Sequence, residues 1–253
     1  MRRLRQTGAM PSSSAIVDET FARLGFVAGS ISQEEILERF NELLNIVWVE
    51  TLKTLEAHED RVYKAGIPAA LMEEYPEELS TAERVNSRDG FREATIELFG
   101  RWYPALRQVF LSISQSRMTR GGKDFELQIE GLLRLAGVPF DKQERQDRTD
   151  LILPSVAVFQ QNVNIAAVVS VKRTLRERWA EVAEELFNLR SPNVFLFTAD
   201  GGVSRGHIDR ICGRYKIHLV VWDEVKARYN NQPLVLGYTE WARERLPVLK
   251  QHW

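Results

Sequence analysis

The second half of this 253-residue chain alternates short runs rich in valine and isoleucine with segments of helical periodicity. The apolar runs cover residues 150–153, 164–171, 194–198 and 217–222, and the helical segments cover residues 174–189 and 203–214. Apolar runs of four to eight residues are typical of buried strands, whereas longer periodic segments are typical of helices. Together with a helix around Phe125, the order αββαβαβ predicts an α/β fold with a central mixed β-sheet flanked by helices.

Residues 1–115 are predicted to be almost wholly helical. Ser32 and Glu35 form a capping-box signal for a helix start, after which apolar residues recur every three or four positions. Pro68, Pro76 and the polar residues 86–90 are expected to interrupt the helical pattern, because proline removes a backbone donor and glycine ends helices.

The character of the chain changes at Gly121 and Gly122, after which a short helix is expected to end at Gly137. A helical stretch that begins at Phe91 is expected to end before Pro104. We therefore predict an N-terminal helical region, residues 1–115, packed on an α/β core, residues 116–253. Residues 1–14 of the helical region, which end in Pro-Ser-Ser-Ser, are expected to form an arm.

The composition restricts the class of protein. A net charge of −1 excludes a wholly basic surface that coats nucleic acid, although it permits a local basic cleft. No run approaches the ~18 apolar residues of a membrane helix, and the N-terminus lacks a signal-peptide pattern, so we expect a cytoplasmic protein. The single cysteine, Cys212, excludes intrachain disulfides and cysteine-based zinc sites, and the four histidines lack metal-ligand spacing.

Three ionisable residues fall within 36 positions in the predicted core. Asp150 begins one apolar run, Lys172 ends the next, and Glu185 lies on the helix that follows. Hydrolysis of a phosphodiester with Mg²⁺ requires oxygen ligands, a group that activates water, and positive charge near the phosphorus. Asp150, Lys172 and Glu185 supply these groups. Asp147 is an alternative to Asp150, but Asp150 directly precedes the apolar run and is preferred.

A compact Arg-Glu-Arg cluster, Arg176 to Arg178, lies at the start of the same helix. Arginine can bond guanine O6 and N7 in bidentate fashion, and a carboxylate such as that of Glu177 can accept from cytosine N4. An acid between two arginines is unfavourable beside phosphates but useful opposite cytosines. A solvated helix face would explain the cluster by itself, whereas its position beside Lys172 favours base recognition.

Residues 120–198 resemble the PD-(D/E)XK nucleases, and more narrowly the EcoRII/PspGI group of type II restriction endonucleases. The usual motif has an acidic residue two positions before the lysine, where this chain has Ser170. In the narrower group the second metal-binding carboxylate instead follows the lysine by thirteen residues, which here is Glu185. The group also carries a Lys-x-Thr-Leu-Arg-Glu-Arg-Trp-like run, which matches residues 172–179. The resemblance implies a restriction-endonuclease-like core.

The resemblance also implies roles for the residues singled out above. Asp150 and Glu185 would bind Mg²⁺ and Lys172 would act in catalysis. A glutamate upstream in these nucleases is often a further ligand. Here Glu126 or Glu130 could serve, although an ordinary solvated helix position is the alternative.

For DNA recognition, the resemblance implies that Arg176 and Arg178 read guanines and Glu177 reads cytosines of a CC…GG site in double-stranded DNA. The site would resemble CCNGG or CCWGG, with or without flanking bases, and cleavage 5′ of the CC would leave a 5′ overhang. The central pair of the site can be flipped out in this group. Trp48 could line a pocket for a flipped base, or it could be an ordinary core residue.

The resemblance further implies a homodimer with one active site per subunit, because two-fold protein symmetry mirrors a near-palindromic site. A cytosine DNA methyltransferase would protect the host. Two alternatives stay open: a repair or structure-selective PD-(D/E)XK nuclease that uses the helix for phosphates, and a DNA-binding module that has lost catalysis. The intact trio of Asp150, Lys172 and Glu185 disfavours the second, and the Arg-Glu-Arg cluster disfavours the first.

Overall fold

The computed structural model describes residues 10–142, 150–175 and 179–253, and for residues 179–182 and 185 it describes the backbone alone. Before the sheet, the described chain is helical: α1 (Ser13–Arg23), α2 (Gln33–Glu38), α3 (Phe40–Glu74), α4 (Pro76–Asp89) and α5 (Phe91–Leu135). Helix α1 thus begins within the segment expected to be an arm, whose residues 1–9 lie outside the described part. The side chain of Ser32 caps α2 by accepting from the Glu35 N–H, as the capping-box signal predicts.

The remaining elements alternate strands and helices. They are β1 (Asp141–Lys142), β2 (Leu151–Leu153), α6 (Val156–Gln161), β3 (Ala167–Lys172), α7 (Trp179–Asn188), β4 (Val194–Thr198), α8 (Arg205–Ile208), β5 (His218–Val221), α9 (Asp223–Lys226), β6 (Val235–Gly237), α10 (Tyr238–Glu240) and α11 (Leu246–Lys250). Residues Asp209–Arg214 and Trp241–Arg245 extend α8 and α10 in π-helical geometry, and Ala227–Tyr229 form a 3₁₀ turn.

The six strands form one mixed sheet in the order β1-β2-β3-β4-β5-β6. Strands β1, β2 and β3 pair antiparallel, whereas β3 to β6 are parallel. Strands β3 and β4 are almost wholly buried, which explains their unbroken apolar sequence, because helices cover both faces of a parallel sheet. The predicted mixed α/β sheet is confirmed.

Contacts divide the chain into two compact units. The first comprises residues 10–16 and 52–120, and the second comprises residues 17–51 together with the described part of 121–253. The second unit contains the sheet and a large aromatic core, in which Phe40, Phe125, Phe195, Tyr238 and Trp241 are nearly inaccessible to solvent. No helix in the three described ranges is long and apolar enough to cross a membrane.

The predicted breaks in the helical half are partly wrong. Helix α5 runs unbroken through Pro104, Gly121 and Gly122, and α3 runs through Pro68. The polar residues 86–89 belong to α4, which ends at Asp89 and is followed by Gly90 with a φ of 93°. Single prolines and glycines cost a helix ~1–3 kcal/mol, which burial of a long apolar stripe can outweigh. The predicted end at Gly137 is consistent with its φ of 64°.

Candidate active site

Strand pairing brings Asp150, which directly precedes β2, close to Lys172 at the end of β3. Leu151 pairs with Val169 in the antiparallel register, so Asp150 lies opposite Ser170. The Lys172 Nζ lies 3.2 Å from Asp150 Oδ2, and both side chains are partly exposed. Residues that are 22 positions apart in sequence therefore share one partly solvated site, as expected from two neighbouring strands.

The Asp150 carboxylate is held by three donors, all of which reach Oδ2. The Val171 N–H donates at 2.5 Å, the Ser170 hydroxyl at 3.2 Å, and the Lys172 ammonium at 3.2 Å. Ser170, which occupies the position of the usual second acid, is fully buried. Among the described residues no donor reaches Oδ1.

Two glutamates on α5 were candidate metal ligands, and only one lies in a setting that suits this role. Glu126 accepts from Lys123 Nζ at 2.5 Å. Burial raises the pKa of the Glu126 carboxyl, and the negative charges of Asp150 and Glu130 raise it further, against the opposing effect of Lys123. A carboxylate that is repelled by a neighbouring carboxylate is a natural ligand for a divalent cation.

Glu130 lies one helical turn further along and is completely buried. Its Oε2 atom pairs with Lys142 of β1 and with Arg134, the latter at 3.2 Å. Its Oε1 atom has no hydrogen-bond partner among the described residues. These two cations neutralise Glu130 and tie α5 to the edge of the sheet, which favours a structural role over metal binding.

Arg173 and Trp48 form a contact next to the lysine that sequence reasoning did not identify. The Arg173 guanidinium lies 5.2 Å from the centre of the Trp48 ring, and Trp48 packs edge-on against Phe125 at 5.3 Å. Trp48 is partly buried against the core. In the described part of the chain no carboxylate pairs with Arg173, which leaves a partly exposed cation beside Lys172. An arginine directly after a strand-end lysine is the sequence signal for it.

Asp200 positions the chain just before the Arg-Glu-Arg cluster. This residue follows β4, and its Oδ2 accepts from the Leu175 N–H at 2.8 Å, while Oδ1 accepts from the Gly202 N–H at 2.8 Å. Leu175 is itself buried. An aspartate at the carboxyl end of a parallel strand, followed by two glycines, is the signal that could have identified it.

Three of the expected site residues lie outside the described part of the chain. They are Arg176, Glu177 and Arg178. Glu185 lies on α7, for which the structure gives its backbone position only. On the same helix Ala183 and Leu186 are buried and Glu184 is exposed. Asp147 also lies outside the described residues.

The described residues contain no group of three histidine, cysteine, aspartate or glutamate side chains arranged to hold a metal. They do contain the carboxylates of Asp150 and Glu126, which are hard oxygen donors. The two negative charges repel each other, and the charge of Asp150 raises the pKa of Glu126. This pair suits Mg²⁺, which binds through one or two carboxylates and keeps several waters. The donor chemistry at the site therefore fits the implied metal.

Comparison with known proteins identifies similar sequences and folds. The family model described as EcoRII C terminal matches residues 94–237. The type II restriction enzyme SsoII of Shigella sonnei is 28% identical over 175 residues, which cover 64% of this chain and 56% of SsoII. The matched segment thus spans little more than half the length of that relative.

Solved structures of two restriction endonucleases are among those similar to the present one. Metal-depleted Ecl18kI in complex with uncleaved DNA is 25% identical with a TM-score of 0.84, and the match covers 100% of this chain and 83% of that chain. The restriction endonuclease PspGI in complex with substrate DNA is 17% identical with a TM-score of 0.66, covering 96% and 95%. The restriction-endonuclease-like fold and the resemblance to the EcoRII/PspGI group are thereby confirmed.

Proposed function

This chain belongs to the EcoRII C-terminal family of type II restriction endonucleases, and we propose that it hydrolyses double-stranded DNA at a specific site with Mg²⁺ as cofactor. The observation that carries the proposal is the contact between Asp150 Oδ2 and Lys172 Nζ at 3.2 Å, where Asp150 directly precedes β2 and Lys172 ends β3 within the matched core. The carboxylate supplies an oxygen ligand for a metal and the ammonium supplies positive charge, which are two of the groups that phosphodiester hydrolysis with Mg²⁺ requires.

The residues of this chain would divide the chemistry as follows. Asp150, Glu185 and Glu126 would hold Mg²⁺, which when bound supplies a Lewis acid and an activated water. Glu126 is preferred to Glu130, because Glu130 is fully buried and neutralised by Lys142 and Arg134. Lys172 would place its charge where negative charge develops on the phosphate, held there by Asp150.

We propose that Arg176, Glu177 and Arg178 read a CC…GG site, with cleavage 5′ of the CC leaving a 5′ overhang. Asp200 supports this assignment, since it fixes the Leu175 N–H at the residue that precedes the cluster. A homodimer would cut both strands of a near-palindromic site. The proposal entails a cytoplasmic location, where the enzyme meets DNA, and a partner cytosine DNA methyltransferase that protects the host.

The repair or structure-selective nuclease remains the second candidate function. It is favoured by one observation, the partly exposed Arg173 beside Lys172, because an arginine that has no carboxylate partner among the described residues suits a phosphate. Sequence-specific and structure-selective enzymes would both use Asp150 and Lys172 for cleavage.

A digest of mixed-sequence plasmid DNA tests the proposal. The protein is incubated with Mg²⁺ and the ends of the products are sequenced. Unique ends at CC…GG sites with 5′ overhangs are the expected result. Ends at flaps, junctions or random positions would favour the structure-selective candidate, and absence of cutting with intact DNA binding would favour a DNA-binding module.

A further inference from the structure

Helix α5 carries an apolar stripe that is exposed to solvent within the first compact unit. Its four most exposed members are Ile96, Phe99, Tyr103 and Phe110, each about 60% exposed. Leu106 and Ile113 continue the same stripe and are half-buried. A different side of the same helix is buried in the unit, through Ala94, Trp102 and Val109. The stripe is therefore not needed for the packing of its own unit.

The spacing of the stripe is that of a helix that packs on another helix. Its six residues, at positions 96, 99, 103, 106, 110 and 113, are separated by three and four residues in strict alternation. This is the apolar seam of a heptad repeat, which brings the same helix face toward a partner helix over several turns. The stripe is therefore suited to a partner that is itself a helix with an apolar face.

The order of residues along the stripe is nearly the same in both directions. Read forward it is Ile-Phe-Tyr-Leu-Phe-Ile, and the positions pair about a midpoint between residues 104 and 105. In an antiparallel pairing about that midpoint, Phe99 would meet the partner's Phe110 and Ile96 would meet the partner's Ile113. A two-fold interface requires such self-complementarity, in which one residue meets a second and the second meets the first.

The exposed area is sufficient for a pair of chains. At ~200 Å² for a side chain of this size, four that are about 60% exposed offer ~500 Å² per chain. Two chains would bury ~1,000 Å², which reaches the lower limit for specific interfaces. An uncovered apolar patch of ~500 Å² is at the upper end of what monomers show and commonly marks an interaction site.

We propose that the stripe from Ile96 to Ile113 is a homodimer interface, in which α5 pairs antiparallel with α5 of a second copy. This gives a surface to the homodimer of the proposed function and rests on that proposal only for the expectation of two copies. The pairing depends on apolar contact alone, so it forms without DNA or metal. Its tests therefore use neither, and their failure is distinct from a failure of the nuclease assignment.

The first test measures mass by light scattering coupled to size-exclusion chromatography at micromolar concentration. The wild-type protein is expected at twice the 29.1 kDa of one chain. The double variant Phe99→Glu with Phe110→Glu places four carboxylates in the paired stripe and is expected at the mass of one chain. The control Gln108→Glu with Gln115→Glu adds the same charge at exposed positions off the stripe and is expected to stay dimeric.

A second test determines the direction of pairing by disulfide cross-linking under a mild oxidant. The double variant Phe99→Cys with Phe110→Cys is expected to form a covalent dimer on a non-reducing gel, whereas neither single variant is. Positions 99 and 110 lie ~16 Å apart along one helix, too far for a disulfide within the chain. The native Cys212 does not compete, because it is buried and its pKa is raised to about 12 by that burial.

Three outcomes would overturn the proposal. They are a wild-type protein with the mass of one chain, a Phe99→Glu with Phe110→Glu variant that stays dimeric, and failure of the double cysteine variant to cross-link. Cross-linking by the single variant Phe99→Cys would show a parallel pairing and overturn the antiparallel register. Circular dichroism of the glutamate variant establishes that it is still folded when it has the mass of one chain.

Discussion

Gly121 lies so close to Arg173 that a β-carbon at residue 121 would overlap the Arg173 guanidinium. The side chain of Arg173 is thus fixed between the bare backbone of α5 and the ring of Trp48. Glycine in a helix costs ~1 kcal/mol relative to alanine, so its presence here is explained by the space that Arg173 needs. A β-carbon at the neighbouring Gly122 would project into open space among the described residues, which makes Gly122 a matched control.

We predict that Gly121→Ala folds normally but weakens DNA binding and cleavage, because Arg173 is forced away from its position. Gly122→Ala should raise stability by ~0.5–1 kcal/mol and leave DNA binding unchanged. Arg173→Ala should weaken binding to cognate and random duplexes alike. The slope of log affinity against log salt concentration should fall in magnitude by about 1, which corresponds to one lost phosphate contact. The measurement is duplex affinity over a salt series. If Gly121→Ala and Gly122→Ala bind DNA with the same affinity, the position of Arg173 does not matter for DNA binding.

We predict that Asp150→Ala, Lys172→Ala and Glu185→Ala each abolish cleavage, while binding to cognate DNA in Ca²⁺ survives in at least some of them. Each change removes a transition-state interaction worth several kcal/mol. Single-turnover cleavage in Mg²⁺ is the measurement. If the Glu185→Ala enzyme cuts at the wild-type rate and the Glu181→Ala enzyme is inactive, the metal ligand on this helix is Glu181 and not Glu185.

We predict that Arg176→Ala and Arg178→Ala each lower the affinity for the cognate site by ~1–3 kcal/mol and leave nonspecific binding almost unchanged. Glu177→Gln should lose discrimination at the CC positions, because an amide both donates and accepts. Cleavage of duplexes that are varied one base pair at a time tests both statements. Retention of the CC preference by Glu177→Gln would contradict base reading by this residue.

We predict that Glu126→Gln changes the pH dependence of the protein's stability. The pKa of Glu126 is raised by burial and by Asp150 and Glu130, so its contribution to stability is present below its ordinary value of 4.5 and is lost as pH rises through the raised value. Glu126→Gln should remove this loss, making the variant relatively more stable than wild type toward neutral pH. Denaturant unfolding at several pH values is the measurement.

Glu130→Gln should instead destabilise the protein by ~1–3 kcal/mol, because Lys142 and Arg134, which are both partly exposed, lose the charged hydrogen-bond acceptor that they share. The two variants also differ toward metal. Stabilisation by added Mg²⁺ should be reduced in Glu126→Gln and retained in Glu130→Gln. If Mg²⁺ instead stabilises Glu126→Gln and not Glu130→Gln, then Glu130 is the metal ligand and Glu126 is not.

We predict that His218→Phe makes the protein less sensitive to acid. Burial lowers the pKa of His218, as does the positive charge of Arg245, and the imidazole stacks on Phe195 at 4.9 Å. A lowered pKa gives stability that is present above the ordinary value of 6.5 and is lost as pH falls through the lowered value. Thermal unfolding between pH 7 and 5 should decline less steeply in the variant; an identical decline would contradict the assignment.

The strands of the sheet could be predicted from the sequence where they are buried on both faces. Strand β4 has the predicted bounds, and β3 and β5 lie within or next to their predicted runs, since an unbroken apolar run needs no distant information. Strands β1 and β6 were missed. Each has two or three residues, and only pairing with a neighbour defines them.

The sequence by itself determined the fold class and the types of residue at the site, because apolar periodicity and the spacing from Asp150 to Lys172 are local properties of the chain. Only the tertiary structure decided which groups meet. The three donors to Asp150 Oδ2 depend on the pairing of β2 with β3, the different partners of Glu126 and Glu130 depend on how α5 packs beside the sheet, and the contact of Arg173 with Trp48 depends on the position of α3. Such contacts join residues far apart in sequence, and local propensity contains no information about them.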